Sequence, residues 1–493
     1  MIKKRLLLAV TLLLALNVFA SHPKRQLRGV WIATVANIDW PSKRGLSADM
    51  QKEEMVKMLD EVASYNMNTI VFQIRPTADA FYKSKYEPWS HWLTGKQGED
   101  PGYDPLQFAI DECHKRGMYI HVWLNPYRVN NDTTRMTGYD KDHIRFKHPE
   151  WFVTYGKAEY FNPGLDEVRQ FANNVVADIV TNYDIDAIHM DDYFYPYKIA
   201  GQEFPDEATF QAHPRGFTDK EEWRRDNVNK IICEINQTIK SIKPWVEFGI
   251  SPFAIWRNDK EDPRGSKTKG GTTNYDGLYA DILKWQQEKW IDYVLPQLYF
   301  NIGYEIADYA VLADWWSKYN YGANVYAGLA PYRVSKEAKQ KAWHTPKELV
   351  RQIQRNSKDP NLKGEIYFSA KSLFSPKVNL KKRLVRNEYK YLTLSPENPR
   401  VMRIEAEAPG TLMSAMDASG RQMKLSWERG KDAKRFVVYA FPKNKPIDEN
   451  DPQYIVKVTG LTEANVPYNS KYRYAVSALS PSHTESSLVY LEN

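Results

Sequence analysis

The sequence predicts a (β/α)8 TIM barrel followed by an all-β, fibronectin type III-like sandwich. Short runs rich in Val, Ile and aromatic residues alternate with helical stretches, eight such runs recur over about 350 residues, and the helical pattern ends near Pro396. Alternating strands and helices are typical of parallel strands joined by crossover helices, and eight units suit a closed barrel. A doubly wound open sheet is the alternative, but no glycine-rich phosphate loop follows the first strand.

Each predicted barrel strand is a short apolar run, and helical periodicity follows most of these runs. The strands are expected at residues 29–35, 69–74, 119–124, 187–190, 247–250, 293–298, 324–329 and 365–369. Helices are expected at residues 52–67, 105–118, 167–183, 223–242, 279–290 and 345–356. The barrel domain therefore spans residues 27–390.

The chain begins with the pattern of a secretory signal peptide over residues 1–20. Lys3, Lys4 and Arg5 precede an apolar run at residues 6–16, and small residues near Ala20 suit cleavage. An uncleaved anchor is the alternative, but the run is short for a bilayer. We expect an exported protein, periplasmic or extracellular, with no membrane span after cleavage, because no later segment approaches 18 uncharged apolar residues.

The amino-acid composition limits which cofactors and binding partners we expect for this protein. Cys113 and Cys233 lie far apart in helical segments, so we expect no disulfide. The sequence shows no cysteine–histidine cluster at zinc spacing, and we expect neither metal nor cofactor. Scattered Lys and Arg on a solvated face explain the net charge of +7, and we expect no nucleic-acid partner. The 15 Trp and 32 Tyr suit a groove for sugar rings, although a core also uses them.

The C-terminal module, residues 396–493, contains only strand patterns separated by turns. Strands are expected within residues 424–427, 435–441, 454–461, 464–468 and 472–479. The pattern resembles a fibronectin type III module, with Trp427 as the core indole and Tyr474 as the tyrosine-corner residue. The module is expected to brace the barrel or to bind an envelope protein.

Polar and aromatic residues follow the predicted barrel strands at their carboxyl ends, where this fold places its chemistry. Asp191 and Asp192 follow the fourth strand in "AIHMDDYFYPY". Because side chains alternate along a strand, His189 and Asp191 are expected to point into the barrel, with Asp192 at the rim. The alternative is that Asp192 caps the next segment or pairs with an arginine.

These residues favour glycoside hydrolysis. The sequence offers no Ser-His-Asp order and no nucleotide loop, whereas carboxylates, tyrosines, amides and arginines gather at the predicted mouth. A glycosidase needs one acid to protonate the leaving oxygen and a second carboxylate to act on the oxocarbenium-like carbon. Burial and a neighbouring anion can keep one acid protonated while the other stays ionised.

Several motifs resemble, in order, the glycosyl hydrolase-like family 10 proteins over residues 28–375. They include "GVWIATVANIDWPS", "VFQIRPTADAFYKS", "HVWLNPYRVN", "IHMDDYFYPY", "GISPFAIWRN" and "DYVLPQLYF". The resemblance implies a bacterial envelope protein that hydrolyses a β-linked amino-sugar polymer, namely peptidoglycan glycan strands without stem peptides. The "DAIHMD" stretch is also loosely similar to family 18 chitinases, but His189 and Tyr193 replace the acids of that pattern.

The position of each residue assigns its expected role. Asp191 is expected to be the nucleophile-like or orienting carboxylate, Asp192 the general acid or its partner, and Tyr299 a third catalytic group. Asp276 and Glu305 are lower-ranked acids. The residues expected to bind the polysaccharide substrate are Arg75, Asn125, Tyr127, His189, Tyr193, Gln297 and Trp256, and for several of them a structural role at the barrel rim is the alternative.

Two other functions compete with hydrolysis of peptidoglycan glycan strands. One is a non-catalytic glycan-binding scaffold that keeps the cleft but lacks a complete acid pair. The other is hydrolysis of a different polysaccharide. The sequence does not decide between retaining and inverting stereochemistry, because that depends on the separation of the carboxyl groups.

Overall fold

Eight parallel strands close into a barrel in the computed structural model, which describes residues 22–133 and 138–492. The predicted barrel is therefore confirmed, while the predicted signal peptide lies outside the described residues. Each strand pairs with its neighbours in sequence, and the last pairs with the first. The strands are β1 (Leu27–Ile32), β2 (Thr69–Arg75), β3 (Tyr119–Leu124), β4 (Ala187–Met190), β5 (Glu247–Ile250), β6 (Tyr293–Val294), β7 (Asn324–Leu329) and β8 (Leu362–Tyr367).

Helices cover the outside of the barrel and connect its strands. Many begin with a side-chain cap, as at Ser47, Asp104 and Asp219, whose oxygens accept backbone N–H groups of the first turn. The α-helices are α1 (Ala48–Ser64), α2 (His91–Thr94), α3 (Pro105–Lys115), α4 (Asp166–Asn182), α5 (Glu207–Ala212), α6 (Lys220–Ile242), α7 (Asn274–Gly277), α8 (Ile282–Gln287), α9 (Tyr309–Lys318), α10 (Lys347–Asn356), α11 (Ala370–Leu373) and α12 (Lys381–Arg386).

The barrel strands are buried on both faces, which is why they read as apolar runs. Strands β1 and β8 are shifted by two or three residues from their predicted bounds. Strand β6 is shorter than predicted, because pairing ends at Val294 rather than at residue 298. Pro296 has no N–H to donate to a ladder, so regular pairing stops before it. Beyond this point, an isolated bridge between Phe253 and Gln297 continues the pairing of β5 with β6.

The barrel interior is filled by large side chains from alternate strand positions. Tyr293 lies across the interior, and its hydroxyl is 2.9 Å from Nδ1 of both His121 and His189. Gly249 makes this possible, because a Cβ there would be 1.9 Å from Cζ of Tyr293. Trp31 and Trp123 belong to the same interior cluster. The histidine pair therefore forms a packed floor below the mouth of the barrel.

A small antiparallel sheet interrupts the connection between β3 and α4, which the sequence reading did not predict. Its strands are Arg128–Asn130, Phe152–Tyr155 and Ala158–Phe161. The first of these strands starts a few residues after β3 ends, so the sheet stands at the mouth of the barrel. Its position brings Arg128 to the edge of the cavity described below.

The C-terminal region consists of two antiparallel sheets that enclose one core, which confirms the all-β prediction. Trp427 is buried there against Phe436, and the Tyr474 hydroxyl donates to the Pro467 carbonyl at 2.8 Å. The fibronectin type III assignment stays a prediction. The sheets have the orders β9-β10-β13 and β12-β11-β14-β15, from β9 (Met413–Met416), β10 (Gln422–Ser426), β11 (Arg435–Pro442), β12 (Ile455–Thr459), β13 (Glu463–Pro467), β14 (Tyr472–Leu479) and β15 (Val489–Tyr490).

The C-terminal sheets dock at the end of the barrel where the strands begin. Arg435 forms a salt bridge of 2.7 Å with Asp186, directly before β4, and both side chains are fully buried. Arg435 also donates to the Met118 carbonyl before β3. The Gly460 N–H donates to the His114 carbonyl at 2.8 Å. The contact is therefore on the face opposite the mouth of the barrel.

Cys113 and Cys233 are both free thiols, and Cys113 is buried. Among residues 22–133 and 138–492, no helix has the length and apolar character needed to cross a membrane.

Candidate active site

A cavity of about 280 Å³ opens at the end of the barrel where the strands finish. This volume is near the lower end of the range for small-molecule sites, which begins at about 300 Å³. Aromatic rings form much of its wall, with the two predicted acids and a few polar groups. It is lined by Trp31, Val35, Ile38, Trp123, Arg128, Asp191, Asp192, Tyr193, Ser251, Gln297, Tyr299, Tyr332 and Phe368.

Asp191 is held as a hydrogen-bond acceptor. Both of its carboxylate oxygens accept from Nδ2 of Asn125 at 2.7 Å, and Oδ1 also accepts the Tyr193 backbone N–H at 3.2 Å. Burial raises the pKa of Asp191 above its ordinary value, while the charge of Arg128 and these hydrogen bonds oppose that rise. The residue is only 5% exposed. This environment favours the ionised form of Asp191 over that of its neighbour.

A chain of amides fixes the direction of the Asn125 side chain. The Gln73 Oε1 accepts the backbone N–H groups of Thr34 and Val35, at 3.0 and 2.9 Å. The Gln73 Nε2 must therefore face outward, and it donates to Asn125 Oδ1 at 3.2 Å. Because the Asn125 oxygen is occupied, its nitrogen faces Asp191. The backbone at the end of β1 thereby sets the polarity of the hydrogen bonds that reach Asp191.

Asp192 lies in a different environment, although it is the next residue. Burial and the adjacent charge of Asp191 raise the pKa of Asp192 to about 7. The Tyr197 hydroxyl donates to its Oδ2, and Gln297 Nε2 donates to its Oδ1 at 3.0 Å. The residue is 2% exposed. Asp192 is therefore suited to hold a proton near neutral pH while Asp191 is charged.

Tyrosines complete the wall around the two acids. The Arg128 guanidinium lies over the Tyr193 ring, with its carbon 4.1 Å from the ring centroid. The Tyr193 ring also packs edge-on against the Tyr197 ring. Tyr299 packs edge-on against Tyr332, whose ring is 47% exposed at the entrance. Burial raises the pKa of Tyr299 well above its ordinary value, so its hydroxyl stays protonated and can donate. The structure thus brings Asp191, Asp192, Tyr193, Gln297 and Tyr299 to one cavity.

Five residues expected to contact the substrate do not line this cavity. Arg75 is buried in a salt bridge with Glu87. Both ring nitrogens of His189 are occupied, by Tyr293 and by Ser251 at 2.9 Å. Tyr127 and Trp256 are buried in the hydrophobic core, and Asn125 lies behind Asp191. All five residues are buried and contact other parts of the protein.

The lower-ranked acids also lie away from the cavity. Asp276 accepts two hydrogen bonds from Arg257, at 2.9 and 2.7 Å. Glu305 is exposed and pairs with Lys269 at 2.7 Å. Neither residue lines the cavity around Asp191 and Asp192.

Several residues of the site were missed by the sequence reading. Trp31 and Trp123 lie on interior positions of β1 and β3, so the alternation that placed His189 and Asp191 would also have found them. Gln73 and Tyr197 lie near strand ends in the sequence, but their hydrogen-bond partners could not be predicted from it. Gln73 bonds Asn125, which is 52 residues away in sequence, and Tyr197 bonds Asp192, which is five residues away.

A closed parallel barrel with a buried pair of carboxylates in an aromatic cavity at its mouth is the arrangement of a glycoside hydrolase-type TIM barrel. The sequence model of the family described as "Glycosyl hydrolase-like 10" matches residues 26–345. The chain belongs to this family, and the resemblance drawn from its motifs is confirmed.

Two relatives extend over most of the chain. Glycosyl hydrolase YngK of Bacillus subtilis (strain 168) is 44% identical over 471 residues, which cover 94% of this chain and 92% of the relative. Glycosyl hydrolase DigH of Escherichia coli (strain K12) is 38% identical over 371 residues, 71% of this chain and 84% of the relative. Among solved structures, the PgaB (BpsB) glycoside hydrolase domain from Bordetella bronchiseptica aligns with 73% of this chain and 98% of that chain, at 12% identity and a TM-score of 0.44.

Proposed function

We propose that this protein hydrolyses glycosidic bonds in amino-sugar glycan strands, with peptidoglycan as the substrate that we favour. The main support is the unequal environment of two adjacent buried carboxylates. Asp191 accepts three hydrogen bonds, whereas the pKa of Asp192 is raised to about 7 by burial and by the charge of Asp191. Glycoside hydrolysis requires such a division, with one proton donor and one anion.

The proposed reaction begins when Asp192 gives its proton to the glycosidic oxygen, so that the bond to the anomeric carbon breaks. The anionic Asp191 supports the positive character of that carbon, either by direct attack or by orienting a group of the substrate. A water molecule then adds its hydroxyl to the anomeric carbon, and its proton returns to Asp192. The Tyr299 hydroxyl can donate a hydrogen bond to the sugar in the same cavity.

The walls of the cavity support a sugar ligand. Trp31, Trp123 and Phe368 supply apolar ring surface, and Gln297 and Ser251 supply polar atoms. Apolar sugar faces pack on aromatic rings, while a few convergent polar groups fix orientation. The names of the two relatives, both glycosyl hydrolases, support the same reaction class.

We also propose that the protein is exported, on the signal-peptide pattern of residues 1–20. For the C-terminal module we propose a bracing role, and binding of an envelope protein is the other proposal for it. Its salt bridge to Asp186 supports bracing, since that contact lies on the face of the barrel opposite the two acids.

The test compares the wild-type protein with Asp191→Asn and Asp192→Asn on glycan strands stripped of stem peptides. We expect the wild type to release oligosaccharides and each variant to lose about 10²- to 10⁴-fold in rate, which is typical for loss of an acid–base group. Asp276→Asn and Glu305→Gln are matched controls, because these acids lie outside the cavity, and both should keep the wild-type rate.

Two results would contradict the proposal in different ways. If the wild type binds the strands and releases no product, the protein is a glycan-binding scaffold. If it releases product only from another member of a polysaccharide panel, the reaction class stands and the substrate changes.

A further inference from the structure

Arg128 is an almost buried cation in the wall of the active-site cavity. Arg128 is 8% exposed, and its guanidinium lies 4.1 Å from the centroid of the Tyr193 ring. Within residues 22–133 and 138–492, the Arg128 side chain forms no ion pair and no hydrogen bond, and the Tyr193 ring is the aromatic face over which it lies. The cation is therefore held in place by an aromatic face, while its five N–H groups have no acceptor in the described part of the protein.

Other buried arginines in the described part of the chain have acceptors for their N–H groups. Arg28 donates to Gln26 Oε1 at 2.9 Å and to the Tyr391 carbonyl at 2.7 Å, whereas three others pair with acids. Arg75 pairs with Glu87 at 2.5 Å, Arg224 with Asp206 at 2.6 Å, and Arg435 with Asp186 at 2.7 Å. Such pairing is expected, because an uncompensated charge removed from water is costly. Arg128 departs from this pattern at a place where a ligand can enter.

The position of Arg128 relates it to the reacting centre. The Tyr193 ring carries the guanidinium, and the Tyr193 backbone N–H binds Asp191. The positive charge of Arg128 lowers the pKa of Asp191, although the two side chains form no salt bridge. A sugar in contact with Asp191 would therefore place its substituents next to an arginine whose planar N–H groups match a carboxylate.

We propose that Arg128 is a specificity-determining residue, which binds a carboxylate carried by the sugar in this cavity and so favours a glycan with that carboxylate over the same glycan without it. The inference rests on the proposed glycoside hydrolase function and specifies its substrate. A glycan whose sugars carry a free carboxylate, such as an ether-linked acid, has the required chemistry. The alternative role for Arg128 is to hold Asp191 ionised without touching the substrate.

The experiment uses one glycan in two forms. Its carboxylates are left intact, or they are converted to primary alcohols by carbodiimide activation and borohydride reduction, which leaves the backbone unchanged. For the wild type we expect the reduced glycan to have a kcat/KM lower by about 10- to 100-fold, chiefly through KM, the scale of one or two charge-assisted hydrogen bonds.

Arg128→Gln separates the two roles. If Arg128 binds the carboxylate, the variant should lose a similar factor on the intact glycan and little more on the reduced one. If Arg128 only tunes Asp191, the variant should lose the same factor on both forms and its acidic pH limb should move, which would overturn the inference. Arg264→Gln, at an exposed arginine outside the cavity, is the matched control.

A binding measurement keeps this test separate from the test of catalysis. Calorimetry on Asp192→Asn compares the Kd of intact and carboxyl-reduced oligosaccharides without turnover. Equal hydrolysis of both forms by the wild type, or equal Kd values, would overturn the anionic-substrate inference and leave the proposed hydrolase function standing. Absence of hydrolysis with a preference for the intact form would overturn the hydrolase function and retain the carboxylate site.

Discussion

The Asn125 side-chain nitrogen lies 2.7 Å from both carboxylate oxygens of Asp191. Because the Asn125 oxygen already accepts from Gln73, this nitrogen is fixed as a donor. Asp191 therefore accepts hydrogen bonds from fixed donors, and these bonds favour its ionised form relative to that of Asp192. The difference in environment between the two adjacent acids thus depends on an amide at the end of the neighbouring barrel strand.

We predict that Gln73→Glu lowers kcat about tenfold at pH 5, with little change in KM. The new carboxylate can still accept the N–H groups of Thr34 and Val35, but it offers no donor to Asn125. Asn125 then loses its fixed orientation, and the pKa of Asp191 rises because its donors are lost. The acidic limb of kcat/KM should move to higher pH, as a pH–rate profile would show.

Gln107→Glu, on the exposed face of α3, is the control for this substitution and should leave the profile unchanged. An unchanged acidic limb in Gln73→Glu would show that the amide chain does not position Asp191.

Tyr197→Phe should move the basic limb of kcat/KM to higher pH. The Tyr197 hydroxyl donates to Asp192 and so stabilises its ionised form, which lowers the pKa of the acid. Without this donor Asp192 stays protonated to higher pH. Profiles for the wild type and for Tyr321→Phe, at an exposed ring, should coincide. A shift of the basic limb to lower pH in Tyr197→Phe would contradict the assignment of Asp192 as the proton donor.

Asp192→Asn should stabilise the fold, and more so at pH 8 than at pH 4. Burial and Asp191 raise the pKa of Asp192 to about 7, above the value of about 3.9 expected in the unfolded chain. Between these values the folded state binds more protons, so stability contributed by this group is present at low pH and is lost as pH rises to about 7. Asparagine cannot ionise and avoids this loss.

Melting temperatures of the wild type and Asp192→Asn across this pH range measure the effect. Asp111→Asn, at an exposed acid on α3, should show no such trend. A difference between wild type and Asp192→Asn that stays constant with pH would contradict the raised pKa.

Arg435→Met should destabilise the protein by about 3 kcal/mol and leave kcat unchanged. The substitution removes the buried 2.7 Å partner of Asp186, although Lys434 remains 3.1 Å from the other oxygen. Urea unfolding measures the loss, and adding Asp186→Asn should recover part of it. Lys57→Met, which breaks an exposed pair, should cost less than 1 kcal/mol. A fall in kcat would show that the docking contact reaches the active site.

The sequence by itself determined the barrel and the pair of acids at its mouth. Parallel barrel strands are buried on both faces, so they appear as short Val- and Ile-rich runs whose carboxyl ends meet at one face. Asp191 and Asp192 could therefore be placed at the mouth without a structure. Strand β9, whose residues are all exposed, and the short β15 lacked an apolar run and were not predicted.

Only the tertiary structure decided which arginine lines the cavity. Arg75 ends strand β2 and Arg128 follows strand β3. Arg75 forms a salt bridge with Glu87, whereas Arg128 lies over the Tyr193 ring. Likewise, the amides of Gln73 and Asn125 acquire their direction from backbone N–H groups of another strand. Strand periodicity is a local property, whereas pairing of charges and direction of hydrogen bonds depend on which distant segments the closed barrel brings together.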